Sequence, residues 1–177
     1  MEQVGYDTYC KLLDEVVKEM QGIEVIEEED VQIDIAVSSY IPDEFIENST
    51  QKIEIYQNIA LCRTEEDIQN VIDEIIDRFG TIPKEVENLI EVARIKNLAR
   101  KVGITKISEK QSGIVFIYDS QKFNIEIVDK LAKQYGNKLK FSPGYATLKI
   151  NKTSDKQILG DIKEYLLSNF VDEKLEE

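Results

Sequence analysis

The chain has 177 residues, 42% of them hydrophobic and 32% charged, which is enough for one globular domain of ordinary size with some appended chain. Its formal charge is -13, from 35 acids against 22 bases, so the overall balance opposes a module that grips nucleic-acid phosphates. Histidine is absent, which removes the usual general base at neutral pH, the commonest metal ligand and the Ser-His and Cys-His dyads.

Cys10 and Cys62 stand far apart without CxxC spacing, so they read as reduced packing thiols and cannot assemble a structural zinc site. No apolar run approaches the ~20 residues of a membrane span, and no signal peptide opens the chain. The expectation is a soluble, cytoplasmic protein with no membrane partner.

Taken in order, residues 6 to 20 carry apolar side chains at Tyr9, Leu12, Leu13, Val16, Val17 and Met20, the spacing of one helical face. Gln21-Gly22 ends that helix, and Glu27 to Asp30 form an acidic run of linker character. Residues 1–22 therefore read as a trailing helix of a preceding region, 23–31 as an acidic linker and 32–177 as the main domain. Val31, Ile33, Ile35 and Val37 alternate with polar or small residues, which predicts a strand with one buried face. Pro42 turns the chain after Ile41. Asn48, Ser49 and Thr50 offer N-caps for a helix that carries Ile53, Tyr56, Ile59 and Ala60.

The clearest helix follows. Thr64 and Asp67 form a capping pattern, and Ile68, Val71, Ile72, Ile75, Ile76 and Phe79 form an apolar stripe. Gly80 suits a left-handed residue past the helix end, and Pro83 suits the first turn of the next helix, about Lys84 to Val102. The apolar arc of that helix is wide enough to imply burial on more than one side. Beyond Gly103, Ile104 to Ser108 and Ile114 to Tyr118 read as a hairpin, followed by a helix from Asn124 to Tyr135. Lys138 to Phe141 and Tyr145 to Ile150 read as a second hairpin over Ser142-Pro143-Gly144, and a last helix runs from about Asp155 to Phe170. The fold class is mixed α/β (α+β): a helical first half with an N-terminal strand, then two small β-hairpins alternating with helices.

No phosphate loop, dinucleotide fingerprint, nucleophile elbow or metal-spaced acid cluster is present, so no enzyme, cofactor or metal site is expected. The acids at the end of the capped helix stand out instead. Glu66, Asp73, Glu74 and Asp77 fall on its outer half. Asp73 and Asp77 are a like-charge i, i+4 pair, and Asp77 lies against the negative end of the helix dipole. Glu74 has Arg78 at i+4, whereas Asp77 has no helical partner of opposite sign. An acidic face kept against local preference points to a basic partner surface, with Glu74, Asp77 and Arg78 as the candidate partner-binding residues.

YIPDEFI, KIEIYQNIA and EIIDRFGTIPKEVENLIEVARIKNLARKVGI together resemble the C-terminal domain of the bacterial transcription-repair coupling factor family, from about Ile33 to Ser108 and more loosely beyond. GYDTYCKLLDEVVKEM resembles the segment after that family's last motor motif. The resemblance implies a regulatory domain that docks on the UvrB-like module of the same parent protein and masks the surface that recruits UvrA. It also implies that docking restrains an ATP-dependent DNA translocase until RNA polymerase is engaged. The ATPase and DNA contacts would lie elsewhere in the parent. In that family the Glu and Asp of E-x-x-D-R-F-G contact arginines of the module, and those positions match Glu74 and Asp77. An alternative reading is a nucleic-acid-binding accessory module that uses the basic surface at Lys84, Arg94, Lys96, Arg100, Lys101 and Lys106.

Overall fold

The computed structural model describes residues 30–170, so the helix expected over residues 1–22 and all but the last two residues of the linker expected over 23–31 lie outside the described residues. The described chain forms two compact units, one built on Ser38–Arg94 and the other on Val31–Val37 with residues 95–170.

In the first unit, helix α1 spans Ser49–Ala60, α2 spans Glu65–Phe79, and the longest helix, α3, spans Lys84–Val102 and passes into the second unit after Arg94. Asn48 caps α1 by accepting from the Gln51 amide. The buried line of α1 is Ile55 and Ile59, continued by Cys62, and Ile53 is 39% exposed although the periodicity places it inward. The reason is angular: two residues before Ile55 is about 200° around the helix. The same arithmetic puts Ile76 about 100° from Ile75, and Ile76 is 50% exposed whereas Ile68, Val71 and Ile75 are buried. These side chains join Val86, Leu89, Ile90 and Ala93 of α3 in one core, with Phe45 and Phe79 at its margin. Two polar bonds fasten the preceding loop. Tyr56 Oη accepts from the Ile41 amide at 2.8 Å, and Asn88 Nδ2 donates to the Ser38 carbonyl at 2.9 Å.

The α2 N-terminus is a complete capping box. Thr64 Oγ1 accepts from the Asp67 amide at 3.1 Å, and Asp67 Oδ2 accepts from the Thr64 and Arg63 amides at 3.1 and 3.0 Å. The Arg63 and Thr64 N–H groups hold the Asp67 carboxyl below its ordinary value of 3.8. Its contribution is therefore present above that value and is lost as pH falls below it. Thr64→Ala should cost about 1 kcal/mol, read as an earlier urea midpoint with an unchanged slope. At the other end, Gly80 adopts φ 91 and ψ -151, a region open essentially only to glycine and distinct from the left-handed helical one. Pro83 stands just before α3 rather than within its first turn, and its carbonyl accepts from the Val86 and Glu87 amides.

Burial raises the Cys62 thiol to about 11, with the Asp67 charge adding to the effect. A raised acid favours the folded state fully below its ordinary value of 9.0, and that gain is lost as pH rises through 11. In a Cys10→Ala background, Cys62 should react with a thiol reagent at pH 8 far more slowly than in the urea-unfolded chain. Equal rates would contradict its burial.

The second unit is one five-stranded sheet. Its strands are β1 (Gln32–Asp34), β2 (Ile104–Lys110), β3 (Gly113–Tyr118), β4 (Leu139–Ser142) and β5 (Tyr145–Leu148), in the order β1-β2-β3-β5-β4. The two hairpins read from sequence are joined, because β3 pairs antiparallel with β5, while β1 pairs parallel with β2. The alternation of Val31 to Val37 persists in its burial, but the β1 ladder stops at Asp34. Side chains take over there: Glu109 Oε2 accepts from the Ala36 amide at 2.7 Å, and Lys152 Nζ donates to the Ala36 carbonyl at 2.6 Å.

Helices α4 (Glu126–Tyr135) and α5 (Asp155–Ser168) complete this unit. Ser154 caps α5, whereas the N-cap position of α4 is Ile125, and Asn124 Oδ1 accepts from the Glu126 amide at 2.9 Å from one residue further out. Phe116 of β3 stacks on Tyr165 of α5 with centroids 4.1 Å apart. Tyr118 Oη lies 2.7 Å from Tyr165 Oη and donates to Asn169 Oδ1 at 2.5 Å, so these buried polar groups satisfy one another. Burial pushes the Tyr165 hydroxyl up to about 12.

Candidate partner-docking surface

The outer face of α2 carries the candidate residues. Taking 100° per residue from Ile68, Asp77 lies about 180° from the buried stripe, and Glu66 and Asp73 lie within about 40° of it. All three are exposed. Gln69 Nε2 donates to Asp73 Oδ1 at 3.0 Å. Asp77 has no hydrogen bond or ion pair to another described residue.

Glu74 and Arg78 are arranged differently. Arg78 Nη1 donates to Glu74 Oε1 at 2.9 Å, the helical pair expected from the sequence, and also to Glu54 Oε1 of α1 at 3.1 Å. Asn58 of α1 donates to the second Glu74 oxygen at 3.3 Å. The Arg78 guanidinium also lies 5.0 Å from the Phe79 ring centroid. Glu54 first, and Glu74 second, raise the affinity of Arg78 for its proton. Arg78 therefore links two carboxylates on adjacent helices and is not a free contact. Glu74 is half-buried on the flank of α2 that faces α1.

The surface thus has two parts: a ridge of free acid at Asp77 with Asp73, and a braced Glu54–Arg78–Glu74–Asn58 group beside it. The sequence reading missed Glu54 and Asn58. Their partners lie 24 and 16 residues away, and no local pattern signals that pairing. Exposed Ile76 borders the ridge on the side away from Glu74.

The basic residues of the alternative reading do not form one free helical surface. Arg94 donates to both carboxylate oxygens of Glu65, at 2.6 to 3.1 Å, and pairs with Glu91. Lys96 is only 5% exposed, and Arg100 Nη1 donates to Asn97 Oδ1 at 2.7 Å. Lys106 lies on β2. Among the described residues, no group of three or more acids and cysteines is placed to hold a metal ion, and no helix is long and apolar enough to cross a membrane.

A family model described as the TRCF domain matches residues 35–128, more than half of the chain. The chain belongs to the TRCF domain family. The match begins just after β1, runs through α4's first turn and includes the whole acidic surface of α2. The transcription-repair-coupling factor of Staphylococcus haemolyticus is 33% identical over 168 residues, which cover 92% of this chain and 14% of that protein. Those of Staphylococcus epidermidis and Staphylococcus aureus are each 32% identical over 168 residues, with the same coverage. The chain thus spans 14% of the length of these curated relatives. A crystal structure of the C-terminal domain of transcription-repair coupling factor superposes with a TM-score of 0.70, covering 79% of this chain and 91% of that one at 23% identity. The TRCF resemblance read from YIPDEFI and EIIDRFG is confirmed, and so is the mixed α/β fold.

Proposed function

We propose that this TRCF domain is the regulatory C-terminal domain of a transcription-repair coupling factor and acts as an autoinhibitory clasp. The α2 acids dock on arginines of the parent's UvrB-like module. Docking masks the surface that recruits UvrA and restrains the DNA translocase until RNA polymerase is engaged. The observation that carries this reading is Asp77, an exposed acid at the negative end of α2 beside like-charged Asp73, with nothing in the described fold to compensate it. A residue that its own domain disfavours is explained by a basic partner.

A clasp of this kind shifts a population only if its contacts exist in the closed state alone. Exposed pairs contribute little singly, so Asp77 and the Glu74 group have to act together or become partly desolvated at the interface. The braced Arg78 supports that requirement, because it fixes the Glu74 carboxylate in one position before the partner arrives. The test is a titration of purified UvrB-like module against the wild-type chain and the Glu74→Arg/Asp77→Arg variant. Unchanged affinity would sink the docking assignment.

A further inference from the structure

Of the formal charge of -13, residues 1–30 and 171–177 carry -11, and the remaining -2 hides a segregation between the two units. Ser38–Arg94 contains five lysines and arginines against thirteen acids, a net -8. The second unit, over residues 31–37 and 95–170, contains fourteen bases against eight acids, a net +6. Strand register then concentrates that charge. One cross-sheet row runs Gln32, Lys106, Ile117, Tyr145, Ser142, and the next on the same face runs Asp34, Ser108, Val115, Thr147, Lys140. The third runs Lys110, Gly113, Lys149, Lys138, the last pair joined by the Lys149 amide and the Lys138 carbonyl at 2.8 Å.

Five lysines, Lys106, Lys110, Lys138, Lys140 and Lys149, therefore share one sheet face. Lys110, Lys138, Lys140 and Lys149 are exposed, and none of the five makes a salt bridge to a described residue. The single acid on these rows is Asp34, at the β1 edge. Amid the lysines, Ile117 is 37% exposed and its cross-strand neighbour Tyr145 is 42% exposed. The opposite face buries Phe116, Ala146 and Leu148, and α5 covers it through the Phe116–Tyr165 stack.

We infer that this lysine-bearing face of the sheet binds single-stranded nucleic acid, with lysines on the phosphates and a base stacked on Tyr145 against Ile117. Unpaired cations at fixed spacing supply the sequence-independent phosphate term, and an exposed ring on the same face supplies the stacking term. An acidic peptide would satisfy the lysines but would leave the tyrosine ring without a role, which favours the nucleic acid. This face lies in the second unit and is separate from the α2 ridge, so it stands or falls independently of the docking reading.

The test is fluorescence anisotropy of a labelled oligothymidylate titrated with the full chain at several salt concentrations. Binding should appear at low salt and weaken steeply as salt rises. Lys140→Glu/Lys149→Glu should reduce the magnitude of the log–log salt slope by about 1.4, two phosphate contacts at about 0.7 each. Tyr145→Ala should weaken binding about tenfold at every salt concentration without changing that slope. These positions are exposed, and circular dichroism checks that each variant is folded. No anisotropy rise at the lowest salt overturns the inference, as does binding indifferent to the lysine reversals. Polyglutamate that competes as well as unlabelled oligonucleotide, together with a silent Tyr145→Ala, overturns it in favour of an acidic protein segment.

Discussion

Asp77→Arg should weaken docking of the UvrB-like module by about thirtyfold or more, roughly 2 kcal/mol for a contact charge reversed at an interface. Asp77→Ala should also weaken docking while leaving the isolated chain as stable as wild type, or more stable by a few tenths of a kcal/mol. The opposite signs of those effects carry the argument. Removing Asp77 relieves repulsion from Asp73 and an unfavourable end of α2, and no bond to another described residue is lost. Glu74 cannot provide so clean a result. It accepts from Arg78 and Asn58, so Glu74→Arg would place a second cation beside Arg78 and disturb the α1–α2 contact. Glu74→Gln is the gentler control, because the amide keeps an acceptor for Arg78. A thermal melt and a module titration on the same preparations check both halves. An Asp77→Ala chain that melts earlier than wild type would show that Asp77 supports its own fold, and the case for a partner there would lose its main support.

Much of the first unit is legible because its signals are local. Thr64 and Asp67 announce the α2 start within four residues, Gly80 and Pro83 mark the junction to α3, and α3 spans the predicted Lys84 to Val102. The errors there are angular: Ile53 and Ile76 sit at the margins of their stripes, and only packing decides which side of a margin is covered. The second unit is harder to read. Turn residues specify the two hairpins, but nothing in a hairpin states that β3 will pair with β5, about thirty residues further on. The lysine face depends on that pairing. Its members are scattered from Lys106 to Lys149 over β2, β4 and the flanks of β4 and β5, and only the register aligns them. Similarly, Arg78 looked like the partner of Glu74 alone, because Glu54 reaches it from another helix. The net charge of -13 conceals local balance for a related reason: it sums -8 over Ser38–Arg94, +6 over residues 31–37 and 95–170, and -11 over residues 1–30 and 171–177.

Gly113→Ala should destabilise the second unit by about 3 kcal/mol or more, whereas Gly160→Ala should stabilise it by about 0.5–1 kcal/mol. Gly113 adopts φ +131, and a Cβ added there would lie 2.2 Å from the Leu148 carbonyl oxygen, 2.8 Å from its carbon and 3.0 Å from Lys149 Cα. All three atoms are backbone, so no side-chain rotation relieves the clash, and β3 has to move away from β5. That movement breaks the pairing that joins the two hairpins, and it also disturbs the row holding Lys110 and Lys149. Gly160 lies on the exposed side of α5 without a positive φ, and an added Cβ meets nothing within 4 Å. There alanine only narrows the freedom of the unfolded chain and improves helix propensity. Urea unfolding followed by circular dichroism compares the two directly. If both substitutions shift the midpoint in the same direction, the close approach of β3 to β5 is not what fixes the sheet. If Gly113→Ala alone unfolds early and also loses oligonucleotide binding, the register that builds the core also builds the lysine face.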